Sequence, residues 1–299
     1  MDVAFFIEVL AGGLLAGVMY SLVALGFVLI YKASGVFNFA QGSMVFFAAL
    51  TFVSLLERGW NFWLAFAATL AAMVALGIAI EKIVLRPLVN QAPITLFMAT
   101  IGLTFVLEGV SQLMWGSQPH GLELGIPDVP MEWLSQKWNI NISQFDLFAA
   151  LVAGALVAVL ALLFQKTRIG RALRAVADDH QAALAVGIPL QHIWAIVWAV
   201  AGFVALVAGI MWGVRNGVQY ALTFVALKAL PVLILGGFES ILGAIVGGLI
   251  IGAGEKLAEV YLGPMVGGGI ESWFAYVIAL LFLLVRPEGL FGEKHIDRV

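Results

Sequence analysis

Cysteine is absent from the chain, which excludes disulfide staples, thiolate zinc sites and iron–sulfur clusters. Charge is scarce too. Asp, Glu, Lys and Arg make up 11% of the residues, where a water-soluble chain carries about a quarter. A net charge of −3 leaves no basic surface for nucleic acid and no acidic tail. The four histidines, His120, His180, His192 and His295, lack metal-ligand spacing and read as ordinary loop or interface histidines. Neither paired carboxylates nor a Ser-His-Asp constellation appears, so no catalytic residue and no metal ligand is nominated. The phosphate-cradling loop of ATPases needs a glycine directly before its lysine. Here the lysines follow Tyr31, Glu81, Gln136, Gln165, Leu227, Glu255 and Glu293. Any dependence on ATP must therefore come from a partner.

What fills the 299 residues instead is apolar: 63% are hydrophobic and the mean hydropathy is +1.05. Burying so much apolar surface in one water-soluble domain is implausible, and lipid becomes the expected solvent. Crossing a bilayer takes about 20 apolar helical residues. Apolar segments lie near 5–30, 37–56, 62–83, 94–115, 145–164, 193–214, 221–236, 241–260 and 270–285. The expectation is an all-α, polytopic integral membrane protein of about eight or nine transmembrane segments, forming one transmembrane domain over 1–299. The pair around Gly236-Gly237-Phe238 is short for two spans, which suggests broken or re-entrant half-helices. No basic residue precedes Lys32, so the first stretch is expected to be a retained span and not a cleaved leader.

Short cytoplasmic loops retain Lys and Arg. Lys82 and Arg86 follow the third segment, and Lys166, Arg168, Arg171 and Arg174 follow the fifth. Arg286, Lys294 and Arg298 end the chain. Even numbers of spans separate these three regions, which places the C-terminus in the cytoplasm and, if all nine segments cross, the N-terminus outside. The stretch of about 116–144, with Pro119, Pro127 and Pro130, reads as an external loop or cap. Glycines cluster within the spans, and the series Gly243, Gly247, Gly248 and Gly252 makes a ridge on which helices can approach closely. Charges inside spans cost at least about 2.5–3.5 kcal/mol each. Glu108 and Lys228 need explaining on that ground: they pair, line a path or face a partner, and for Glu108 the reading favours a structural or assembly role over direct substrate contact. Glu255 and Lys256, near a segment end, are expected to snorkel to the interface.

Two polar stretches stand out. The loop of about 165–192 contains Arg168-Ile169-Gly170-Arg171-Ala172-Leu173-Arg174, then Asp178-Asp179-His180-Gln181-Ala182-Ala183 and Gly187-Ile188-Pro189. Asp178 or Asp179 can N-cap a short helix that Gly187 and Pro189 end, with Ala182, Ala183 and Ala185 as a small-residue face. Two turns alone are marginal in water. The helix is therefore held by its own spans or by another subunit, unless the stretch is a plain loop obeying the positive-inside rule. The second stretch, Ser34–Gly42, places Ser34, Asn38 and Gln41 between two apolar helices. It is either a helix broken at membrane depth beside a watery cavity or a cytoplasmic turn.

The first of these stretches, Gln181-Ala182-Ala183-(three residues)-Gly187, resembles the Glu-Ala-Ala-x-x-x-Gly coupling motif of ABC importer permeases, with Gln in place of Glu. Tyr20-Ser21-Leu22-Val23-Ala24-Leu25-Gly26-Phe27 and Gly35-Val36-Phe37-Asn38-Phe39-Ala40-Gln41-Gly42 are similar to the first signature of LivH-type permeases of branched-chain amino-acid ABC transporters. Gln41 stands where those commonly carry His. Ala99-Thr100-Ile101-Gly102-Leu103, Gly236-Gly237 with Gly243-Ala244 and Gly247-Gly248, and Arg286-Pro287-Glu288-Gly289-Leu290-Phe291-Gly292 extend the resemblance along the chain. It implies a non-enzymatic permease subunit in the bacterial inner membrane, moving branched-chain or related amino acids. The partners it implies are a second permease subunit in a heterodimer, two ATPase subunits that carry ATP and Mg, and an extracytoplasmic binding protein. Asp178, Asp179, Gln181, Ala182, Ala183, Gly187, Arg171 and Arg174 would couple to the ATPase. Asn38, Phe39, Gln41, Gly42, Thr100, Gly236 and Gly237 would line the pathway. The competing class is an ion-coupled secondary transporter of a small polar solute, which demands intramembrane coupling groups.

Overall fold

The computed structural model describes residues 3–88, 91–178 and 180–292. Each of the nine apolar segments is helical. The helices are α1 Val3–Ser34, α2 Gln41–Glu57, α3 Phe62–Ala79, α4 Pro93–Trp115, α5 Glu132–Trp138, α6 Gln144–Lys166, α7 Arg168–Asp178, α8 His180–Ala185, α9 Leu190–Asn216, α10 Val225–Gly236, α11 Ile241–Tyr261, α12 Gly263–Val266 and α13 Phe274–Val285. No strand forms among the described residues; isolated bridges join His120 to Val218 and Pro130 to Ser143. Six helices are long and apolar enough to cross a membrane, while Gln41–Glu57, Tyr220–Gly236 and Phe274–Val285 are shorter apolar helices. With backbone groups satisfied inside each helix, the chain is an all-α polytopic membrane protein.

The chain divides into two compact units, one of Leu25–Glu123 and Val159–Leu227, the other of Met1–Ala24, Leu124–Ala158 and Lys228–Val299. In the first, α2 is the central element. Every residue from Gln41 to Ser54 is buried, enclosed by α3, α4, α9 and the turn Tyr220–Phe224. The Asn61 side chain accepts from the Leu64 N–H at 2.8 Å and caps α3. At its far end α3 runs on through a widened π turn, Ile80–Leu85, and a tight turn to Leu88, so Lys82 and Arg86 sit on a helical continuation where the sequence suggests a loop.

The π turn buries Glu81, whose carboxylate takes Arg86 Nε at 3.1 Å and Nη2 at 2.9 Å. Removing one partner of a buried pair strands the other charge. Arg86→Ala is therefore expected to cost about 2–3 kcal/mol and Glu81→Gln distinctly less, an ordering that thermal melting of both variants in detergent would check.

In the second unit, glycines let backbones touch. A Cβ on Gly17 would come within 2.5 Å of the Gly248 carbonyl oxygen, one on Gly13 within 2.7 Å of the Gly252 oxygen, and one on Gly247 within 2.6 Å of the Val232 oxygen. The ridge on α11 thus works on two sides, Gly248 and Gly252 against α1 and Gly243 and Gly247 against α10. That packing turns Glu255 inward, because it shares a face with Gly248, Ile251 and Gly252. Glu255 is 3% exposed and hydrogen-bonded by Tyr20, while Lys256 pairs with Glu271 at 3.0 Å. For Glu255 the expectation of snorkelling is overturned by the orientation the glycines impose, whereas Lys256 stays partly exposed. The expected external cap carries a helix of its own, α5, ended by Asn139 at φ 53° and tied down where the Asn141 N–H donates to Glu8 at 2.7 Å.

Candidate functional site

The break between α1 and α2 begins at Gly35, whose φ of +66° suits a residue without Cβ and whose N–H closes on the Tyr31 carbonyl at 2.7 Å. Asn38 restarts the helix. Its Oδ1 accepts from the Ala40 N–H at 3.1 Å, and its Nδ2 donates to Gln41 Oε1 at 3.2 Å, a side chain standing in for backbone partners. Asn38 and Gln41 are fully buried. Gln41 Nε2 finds no acceptor among the described residues. Gly26 makes room for that amide, since a Cβ there would overlap it, and a Cβ on Gly42 would overlap the Thr223 carbonyl.

Thr100 ties the break to α4. Its hydroxyl accepts from the Phe39 N–H at 3.1 Å and lies 2.8 Å from the Phe97 carbonyl and 3.2 Å from that of Phe37. Thr100 is two turns into α4, about 10 Å from the start of that helix. Asn38, Ala40 and Gln41 of the break are thus buried against the flank of α4, while Gly35 and Phe39 stay exposed. The rings of Phe27, Phe37, Phe39 and Phe97 pack about the break, Phe27 on Phe37 at 5.0 Å and Phe39 on Phe97 at 6.1 Å. The structure thus assembles Asn38, Phe39, Gln41, Gly42 and Thr100 in one place.

From there a polar seam follows α2 and α4. Thr100, Thr104, Glu108 and Ser111 share one buried face of α4 at helical spacing. Ser43 donates to Glu108 Oε1 at 2.9 Å, the Tyr220 hydroxyl to Glu108 Oε2 at 3.3 Å, and Trp115 Nε1 to Thr51 at 3.1 Å. Among the described residues no cation pairs with Glu108. Lys228 has its own partners, Glu271 at 3.7 Å and the Tyr20 ring at 6.0 Å. Sequence reasoning misses Ser43 and Tyr220. The period of Thr100, Thr104, Glu108 and Ser111 is the signal for a polar face, but its partners lie on two other segments.

Gly236 and Gly237 lie in the other unit, at the turn from α10 to α11. There Gly236 crosses Gly243, and the C-terminal segment is clasped on: Leu290 N–H donates to the Leu235 carbonyl at 2.8 Å and Phe291 N–H to that of Gly236 at 3.1 Å. Close backbone packing is what these two glycines permit.

The basic loop holds two helices where the sequence suggests one. Ile169, Leu173 and Val176 recur at helical spacing between the arginines, and Leu173 and Val176 are buried. Arg174 donates to the Phe164 carbonyl at 2.7 Å and to that of Gln165 at 3.3 Å, and Arg171 reaches the Lys166 carbonyl at 3.5 Å. These cations cap the C-terminal end of α6. The small helix α8 ends as expected at Gly187, with φ of +84°. Ala183 faces inward at 2% exposure, leaving Ala182, Leu184, Ala185 and Val186 outside. Asp179 and the side chains of Asp178 and Gln181 lie outside the described residues. Beneath α8, Glu81, Arg86, Leu184, Pro189 and Trp194 line a cavity of about 340 Å³. Trp194 Nε1 in turn donates to the Ala33 carbonyl at 2.9 Å, one residue short of the end of α1. Among the described residues no three carboxylates or imidazoles converge as metal ligands do.

Known proteins are similar to this chain over most of its length. The high-affinity branched-chain amino acid transport system permease protein LivH of Escherichia coli K12 is 28% identical over 311 residues, covering 99% of this chain and 98% of its own. BraD, of the same description in Pseudomonas aeruginosa, is 28% identical over 309 residues, covering 100% and 99%. The fructose import permease protein FruF of Bifidobacterium longum is 24% identical over 280 residues, covering 90% of this chain and 75% of its own. Residues 9–286 match the family described as branched-chain amino acid transport system / permease component, and the chain belongs to that family.

Proposed function

We propose that the chain is the permease subunit of an ABC importer that carries branched-chain or related amino acids across the bacterial inner membrane, and that it is not itself an enzyme. ATP and Mg are held by two partner ATPase subunits, an extracytoplasmic binding protein delivers the substrate, and a second permease subunit completes a heterodimer. The observation that carries the reading is the break at Gly35–Ala40, where the amides of Asn38 and Gln41 are fully buried. Freed backbone and amide groups of this kind are what transporters arrange around a solute within the membrane. The phenylalanines beside those amides suit a solute with one polar end and one apolar side chain. The C-terminus and the α7–α8 region lie in the cytoplasm, in keeping with their Lys and Arg.

ATP-driven closure of the ATPase pair is passed to the spans through α8. The exposed Leu184 and Val186 beside Ala182 form the apolar face that seats in the ATPase, and Trp194 links the floor of that region to the end of α1. Ala182→Trp is expected to abolish co-purification with the ATPase and amino-acid uptake while leaving the melting temperature unchanged. Ala183→Trp, placed in the interior, should lower the melting temperature as well, since overpacking costs about 1–3 kcal/mol. Undiminished uptake by the chain alone in ATP-free liposomes would overturn the importer reading in favour of ion-coupled transport.

A further inference from the structure

Glu108 is the acidic group of the polar seam, 8% exposed, and both of its oxygens act as acceptors, one for Ser43 at 2.9 Å and one for Tyr220 at 3.3 Å. Two hydroxyls satisfy its hydrogen bonds without supplying an opposite charge. An ionisable side chain inside a membrane is costly and marks a pathway or a missing partner. A second feature indicates what the partner is. The Tyr220 ring meets Phe46 edge-on at 6.3 Å and Phe224 at 5.8 Å, an aromatic cluster joined to the carboxylate through the Tyr220 hydroxyl. Tyr220 and Phe224 are both about half exposed, so the cluster is open on one side. A carboxylate with a cluster of aromatic rings next to it matches the recognition chemistry of an ammonium group, which donates charge-assisted hydrogen bonds to the one and meets the negative face of a ring in the other.

We propose that Glu108, held in place by Ser43 and the Tyr220 hydroxyl, receives the α-ammonium group of the permeating amino acid after the binding protein releases it. The proposal rests on the importer reading above and adds a residue that discriminates amino acids from neutral solutes. The seam places this carboxylate on the same helix as Thr100, two turns further along, so an amino acid moving past the broken helix meets both.

The test uses the assembled complex in proteoliposomes with saturating binding protein and radiolabelled leucine. Glu108→Gln keeps the size and the hydrogen-bonding oxygen but removes the charge. Uptake per ATP hydrolysed should fall at least about tenfold, while assembly, melting temperature and ATP hydrolysis stimulated by the liganded binding protein stay at the wild-type level. Glu108→Asp, which restores the charge on a shorter arm, should recover part of the uptake. Wild-type uptake by Glu108→Gln would overturn the proposal, as would uptake, hydrolysis and melting temperature declining together, the mark of a strut between helices. A wild-type complex that hydrolyses ATP with its binding protein yet imports no amino acid would overturn the importer reading and this proposal with it.

Discussion

Gly252→Leu is expected to abolish the folded protein. A Cβ at this position would already lie 2.5 Å from Gly17 Cα, a backbone atom that cannot rotate aside. A leucine adds three more carbons in the same gap, so α1 and α11 must part along the whole Gly13–Gly17 and Gly248–Gly252 contact. Overpacking a well-filled interior costs about 1–3 kcal/mol when side chains can adjust. Here the obstacle is main chain, and in lipid no hydrophobic gain holds the separated helices together. Separation would also undo the surroundings of Glu255, which depend on α11 keeping this face inward. Gly102, where a Cβ would meet nothing within 4 Å, supplies the contrast, since Gly102→Leu should be tolerated. Size-exclusion profiles and melting temperatures of the two variants in detergent decide the matter, and equal yields would refute the packing argument.

Gln41→Met should separate stability from transport. Gln41 is fully buried and its Nε2 lacks an acceptor among the described residues, a defect worth about 1–3 kcal/mol. Methionine has nearly the same length and removes that defect. Against this, Asn38 Nδ2 loses the 3.2 Å bond to Gln41 Oε1 but keeps the Met44 sulfur at 3.6 Å. The opposing effects leave the melting temperature at or slightly above its original value. Uptake is expected to fall at least about tenfold, because a buried donor kept without a partner points to a functional demand at the site. Transport that survives the change would take Gln41 out of the pathway.

Much of this was legible along the chain. Nine apolar segments became helices because in lipid little else satisfies a backbone, and the position of the break was written in Gly35, Asn38 and Gln41. Its seat against α4 was not, since that is set by Phe39 meeting Thr100, two residues far apart in sequence. Helix α7 is hidden in the sequence because its three arginines mask the short apolar period of Ile169, Leu173 and Val176. The inward turn of Glu255 depends on which side of α11 meets α1, a choice made by glycines on both helices together. Ser43, Glu108 and Tyr220 come from three segments, and only the cost of Glu108 announced that a partnership was needed.

The enclosure of α2 has a consequence for how the protein is made. Chains emerge and fold from the N-terminal end, so α2 is synthesised well before α9, which begins at Leu190 and forms one of its walls. At 17 residues it measures about 25 Å, less than the roughly 30 Å of a bilayer core, and it carries Gln41, Ser43, Thr51 and Ser54 with no lipid-facing side in the finished molecule. On leaving the insertion machinery, α2 is therefore a poor guest for bare lipid and needs company. Its final seat exists only once the later helices arrive, which makes the central helix of the first unit among the last to settle.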